Sequence, residues 1–149
     1  IKDGAVPSGH TNHREEDMRI SDFCFIVAGL SALAGMCLGI SMGISQDFTL
    51  SPAHAHLNLL GWVSMAVFGL YHRGTGRTGG ALGWTQVGAG AVGAVLMSGG
   101  LAAYLSNHDD TFMPLVVAGS LAALAGMLLF VAIVVIDVWA SRSHHPSAS

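Results

Sequence analysis

The chain has 149 residues, of which 52% are hydrophobic and only 10% charged, with a formal net charge of -3. Its mean hydropathy is +0.58. A soluble domain carries about 25% charged residues, so this composition points to the bilayer, and the missing basic footprint excludes nucleic acid as a partner.

Residues 1–21 form a polar tail with Gly, Pro, His and mixed charges, turning into a short interfacial helix near residues 14–19. Four apolar segments follow, at about 23–44, 52–71, 82–105 and 112–139, within a domain of residues 22–142; residues 143–149 are a C-terminal tail. A span needs about 20 apolar residues, and all four segments meet or approach that length. Only helices and closed barrels satisfy their backbone in lipid, and these runs lack the alternation of barrel strands. The expectation is an all-α integral membrane four-helix bundle with the lipid bilayer as its first partner. The polar start leads into a full span rather than a cleavable leader.

Most of the 20 glycines lie inside the apolar segments, where small residues let helices approach closely. Gly35, Gly39 and Gly43 make a ladder on the first segment; Gly88, Gly93 and Gly100 lie on the third, and Gly119 and Gly126 on the fourth. Cys24 and Cys37 fall in one helix, too far apart to pair.

Lys2, Arg14 and Arg19 precede the first span, Arg73 and Arg77 follow the second, and Arg142 follows the fourth. The other two loops hold Asp47, Asp109 and Asp110 and no Lys or Arg. Cationic loops stay in the cytoplasm, so both termini are expected there, with the start of the second span at the periplasmic face of a bacterial inner membrane.

That second span opens Ser51-Pro52-Ala53-His54-Ala55-His56. Ser51 suits an N-cap and Pro52 a first helical turn. Ionisable residues within a span are functional candidates by default. The helix N-terminus and low dielectric both disfavour imidazolium, leaving the neutral form that binds metals. Two residues advance a helix by about 200° and 3 Å, so the rings sit at one depth and point apart. His54 shares its face with Asn58, Gly61 and Met65, and His56 with Leu60, Val63 and Val67. Spacing alone leaves two readings open: ligands, or interfacial histidines wetted by headgroups.

The string His54-Ala55-His56-Leu57-Asn58-Leu59-Leu60-Gly61-Trp62 resembles the late helix of the catalytic subunit of heme-copper oxidases. It is closest to the C-type cytochrome oxidases and the related nitric oxide reductases. The likeness covers about a dozen residues, extending loosely to Tyr71. It implies heme b, with one histidine on a low-spin and the other on a high-spin heme, and Asn58, Gly61, Trp62 and Met65 lining the cofactor. That family's subunit has about twelve spans and further copper-site histidines that this chain lacks, so the chain alone holds no complete oxygen-reducing centre and is not expected to be an enzyme by itself. Four spans make one arc of the twelve, and a homotrimer could rebuild the ring, with heme between His54 of one copy and His56 of the next.

Three function classes follow. The first is a heme-binding membrane protein that transfers electrons, with a redox protein partner, or binds a diatomic gas. The second is a copper- or zinc-binding protein using His54, His56 and His108, where Asp109, Asp110 and Met113 lie near His108. The third is a structural accessory subunit of a respiratory complex. A transporter is disfavoured because broken spans and charges at mid-depth are missing. His72, at the other end of the second segment, and Asp137 read as interfacial side chains. His10, His13, His144 and His145 read as tail residues.

Overall fold

The computed structural model describes residues 12–75 and 80–143, with side chains over 20–75 and 80–142. Lys2, His10, Arg77, His144 and His145 lie outside the described residues, as do the side chains of His13, Arg14 and Arg19. The described residues are helical apart from short connections, with no strand among them.

Helix α1 runs Asn12–Ser45 without interruption. The helix expected near residues 14–19 and the first span are one continuous helix, since residues 12–28 hold neither Gly nor Pro and their Arg and Glu residues are good helix formers. A second rod follows in three continuous pieces: α2 (Ser51–His56), a π-helical segment (Leu57–Ser64) and α3 (Met65–Thr75). Then come α4 (Ala81–Asn107), a 3-10 turn (Asp110–Phe112) and α5 (Met113–Ser143). Three helical stretches, Ile20–Ser45, Ala81–Asn107 and Asp110–Arg142, are long and apolar enough to cross a membrane. Most large side chains on their outer faces are exposed apolar ones, such as Ile26, Leu30, Ile40, Leu121, Leu128 and Trp139, as lipid contact requires.

The rods pack in sequence order: α1 on the second rod, the second rod on α4, and α4 on α5. Helices α1 and α5 share no comparable seam. The row is therefore open, and α4 is its most enclosed helix, with 39% of its apolar stretch buried against 17% for α1 and 11% for α5. The core gathers Ile20, Cys24 and Ala28 from α1, Met65 and Phe68 from α3, and Val87 and Ala91 from α4. Phe68 and Tyr71 both meet Phe130 of α5, at ring-centroid distances of 4.7 and 5.2 Å.

Glycines make two different seams. Between α4 and α5, Gly93 faces the Ala123 backbone and Gly119 the Met97 backbone, and a methyl on Gly126 would lie 2.8 Å from the Gly90 nitrogen. Between α1 and the second rod, small residues receive side chains. A methyl on Gly35 would meet Asn58 Nδ2 at 2.5 Å, one on Gly39 would meet His54 Cε1 at 3.1 Å, and one on Gly61 would meet Ser31 Oγ at 2.5 Å. Gly43 and Gly88, expected in the ladders, have nothing within 4 Å of that position. Gly43 lies in the last turn of α1, beyond the reach of the second rod.

The loop before α2 is held by Asp47, whose carboxylate accepts from Thr49 Oγ1 at 2.6 Å and Thr49 N at 3.0 Å. Asp109 repeats the device with Thr111, at 2.5 and 2.9 Å. In both cases the threonine hydroxyl, then the threonine amide, draws the exposed carboxyl below its ordinary range. Ser51 does not cap α2: Leu50 occupies the N-cap position, no side chain caps it, and the Ser51 amide donates to the Phe48 carbonyl at 2.9 Å. The tight turn already satisfies this end, and Pro52 in the first turn needs no acceptor.

Candidate functional site

His54 and His56 lie in the last turn of α2, directly before the backbone widens into the π segment. Two side chains occupy carbonyls at this junction. His56 Nδ1 lies 2.8 Å from the Pro52 carbonyl oxygen, and Asn58 Nδ2 donates to the His54 carbonyl at 2.8 Å. Side chains that insert into the i→i−4 ladder loosen it, and single π turns recur at functional sites. Further along, Ser64 Oγ donates to the Leu59 carbonyl at 2.8 Å, one residue more than an α turn.

The two rings part, as the spacing predicts. A carbonyl only accepts, so His56 Nδ1 carries the proton and donates to Pro52. His56 is half-buried, and Leu59, Val63, Val67 and Leu70 follow it at intervals of three or four residues, all exposed. Fixing one imidazole nitrogen on a backbone carbonyl is the usual way a protein orients a metal-binding histidine.

His54 faces α1 instead. Its ring rests over Gly39, and both ring nitrogens are 3.5 Å from Asn58 Nδ2. Asn58 lies over Gly35, Gly61 against Ser31, and Met65 is fully buried with its sulfur near Gly90 of α4. Asn58, Gly61 and Met65 thus pack inside the chain and do not line an open cofactor wall. Trp62 projects away from the bundle and is exposed.

His108 is exposed and forms the left-handed C-cap of α4, with φ 52° and its amide donating to the Tyr104 carbonyl at 2.9 Å. Among the described residues no group of three or more His, Cys, Asp and Glu side chains is arranged to hold a metal ion. His54, His56 and His108 therefore do not come together as the copper or zinc site considered above.

A second polar set lies at the other end of the rod. His72 is 1% exposed, and its Nε2 is 2.9 Å from Gln86 Oε1, which is 0% exposed. His72, read from the sequence as an interfacial side chain, is enclosed between α3 and α4 because Gln86 of α4 meets it. The Gln86 oxygen only accepts, so His72 donates from Nε2. Gln86 Nε2 has no hydrogen-bond partner among the described residues. Beside them, Tyr71 OH donates to Asp137 Oδ2 of α5 at 2.9 Å, so Asp137 is held by a phenol rather than reaching freely for the interface. Tyr71, Thr75, Asp137, Ser141 and Arg142 line an open groove of about 400 Å³. Arg73 lies 5.8 Å from the Phe25 ring centroid. The pairing was readable in one respect: Gln86 is the one amide side chain within the third apolar segment, and polar side chains inside spans usually bond across helices.

No protein-family model matches the chain, and neither a curated protein nor a solved structure matches it.

Proposed function

We propose that this chain is a heme b-binding membrane protein whose histidine pair at residues 54 and 56 supplies the iron ligation, serving electron transfer or the binding of a diatomic gas. The observation that supports this reading is His56, whose ring nitrogen Nδ1 lies 2.8 Å from the Pro52 carbonyl oxygen on a rod that also exposes Leu59, Val63 and Val67. Bound heme would supply the redox and gas-binding chemistry. The chain's part would be to orient the imidazole through the Pro52 carbonyl.

The second rod, with its apolar outer face, counts in this reading as a fourth span beside the three long helices. Cationic residues at the ends of the rods away from His54 and His56 orient the protein with both termini in the cytoplasm and the histidine pair at the periplasmic side of a bacterial inner membrane. The open row leaves α1 and α5 free for lipid or neighbouring copies, and a homotrimer is the assembly proposed. Mass measurement in mild detergent checks it; a strictly monomeric protein refutes it.

Absorption spectroscopy tests the function. The protein purified in mild detergent with heme supplied during expression should show a Soret band that shifts on dithionite reduction. A colourless protein would refute the reading and favour a structural subunit; copper or zinc found by elemental analysis in its place would favour the metal-site class.

A further inference from the structure

We infer that the groove between α3 and α5 binds the headgroup of a phospholipid that carries a primary ammonium beside its phosphate. Tyr71, Thr75, Asp137, Val138, Ser141 and Arg142 line this space of about 400 Å³. It lies where the apolar stretch Asp110–Arg142 ends, the depth at which aromatic side chains and arginines meet lipid headgroups. Val138 and Trp139 are exposed beside it, so its rim continues the lipid-facing surface of α5. The inference stands apart from the heme reading, since Tyr71 and Thr75 are at the opposite end of the second rod from His54 and His56.

The lining holds one carboxylate, Asp137, and one guanidinium, Arg142, about 7.5 Å apart along the axis of α5 by helical rise. That pair matches a headgroup with one ammonium and one phosphate, whereas a further anionic group would meet Asp137. The hydrogen bonds narrow the choice. Tyr71 OH donates to Asp137 Oδ2 at 2.9 Å, and the carboxylate has a second oxygen for another donor. Thr75 Oγ1 donates to the Tyr71 carbonyl at 3.0 Å, and Ser141 Oγ donates to the Asp137 carbonyl at 2.8 Å. Each hydroxyl thus directs its one hydrogen at its own helix and presents an oxygen lone pair. Acceptors from Asp137, Thr75 and Ser141 suit a primary ammonium, which brings three donors. A quaternary ammonium brings none and is held by cages of aromatic rings, which Tyr71 alone does not make. Arg142, exposed at the rim, supplies donors for the phosphate.

Native mass spectrometry of the full chain in mild detergent tests this, with phosphatidylethanolamine, phosphatidylcholine and phosphatidylglycerol of identical acyl chains as probes. The ethanolamine lipid should bind about tenfold more tightly than either of the others, a ratio that one charge-assisted hydrogen bond is enough to give. Asp137→Asn, whose amide oxygen can still accept from Tyr71, should abolish the preference for ethanolamine over choline. Ser141→Ala, at an exposed position, should lower the same preference with no change in stability. Arg142→Gln should weaken all three lipids alike by removing the phosphate contact. Equal binding of the three lipids to the unaltered protein, as in an unselective lipid annulus, would overturn the inference. So would a preference for choline or glycerol headgroups, or an ethanolamine preference that survives both Asp137→Asn and Ser141→Ala.

Discussion

The two glycine-lined seams of this molecule are built from the same residue type and do different things. Between α4 and α5, glycine faces backbone: Gly93 on Ala123, Gly119 on Met97, Gly126 on Gly90. Nothing separates the two helices, and dispersion between closely spaced main chains holds them. Between α1 and the second rod, glycine faces polar side chains: Gly35 on Asn58 and Gly39 on His54. There the missing side chains make room for a histidine and an amide. One seam is scaffold, and the other is a socket.

The contrast breaks most sharply at the scaffold. Gly119→Leu places a branched side chain into the Met97 backbone, which no rotamer can relieve. The expected loss is about 3 kcal/mol or more, the upper end for overpacking. Unfolding in mild detergent titrated with a denaturing one should shift strongly, and helices α4 and α5 should separate first. If Gly119→Leu is no less stable than the parent, the close backbone seam is not what holds the pair.

The polar layer at the far end gives the next largest effect. His72→Phe removes the donor and strands the buried Gln86 carbonyl, costing about 1–2 kcal/mol in a membrane setting. Adding Gln86→Leu should recover part of that loss, because replacing both partners with apolar groups removes the unmet demand. A double-mutant cycle measures the coupling; zero coupling would show that the 2.9 Å contact contributes nothing.

At the socket the same unfolding measurement should move less. Gly39→Ala brings a methyl to 3.1 Å of His54 Cε1, and a half-buried ring can shift by a few tenths of an ångström. The expected cost is about 1 kcal/mol, the low end of overpacking. A Gly39→Ala protein as damaged as Gly119→Leu would erase the distinction between the two seams.

The helices were legible from composition because apolar runs of sufficient length have few alternatives in lipid. The ladder Gly35–Gly39 and the pair Gly119–Gly126 were legible from spacing. Gly43 and Gly88 meet no neighbour within the chain and Gly90 was missed, since spacing marks a thin face but not where the neighbouring helix lies. The opposed directions of His54 and His56 followed from helical rotation alone. The sequence did not disclose which ring would meet α1 and which would turn back on its own carbonyl, because that depends on a neighbour. His72 shows the same limit: only the depth match between α3 and α4 brings Gln86 to it, and no local pattern encodes that match. The π segment Leu57–Ser64 was likewise hidden, since no periodicity of the sequence marks it.

The smallest expected effect lies in the two loops beside the histidine end and concerns pH. Asp47 and Asp109 are fully exposed, and each has its carboxyl drawn below the ordinary range, first by the hydroxyl and then by the amide of Thr49 or Thr111. A carboxyl with a lowered folded-state pKa contributes stability that is fully present above its unfolded value and is lost as pH falls through the folded one. The loops should therefore hold their turns at neutral pH and loosen only below the usual carboxylate range. Hydrogen exchange of the Thr49 and Thr111 amides, which donate at 3.0 and 2.9 Å, should lose protection in that acid window, after correction for the intrinsic rate. Asp109→Asn should weaken the Thr111 turn at all pH values and abolish that loop's acid response. The core seams contain none of these carboxylates, so the α4–α5 unfolding midpoint should not follow the same titration; if it does, the scaffold is coupled to the loops and the two regions are not independent.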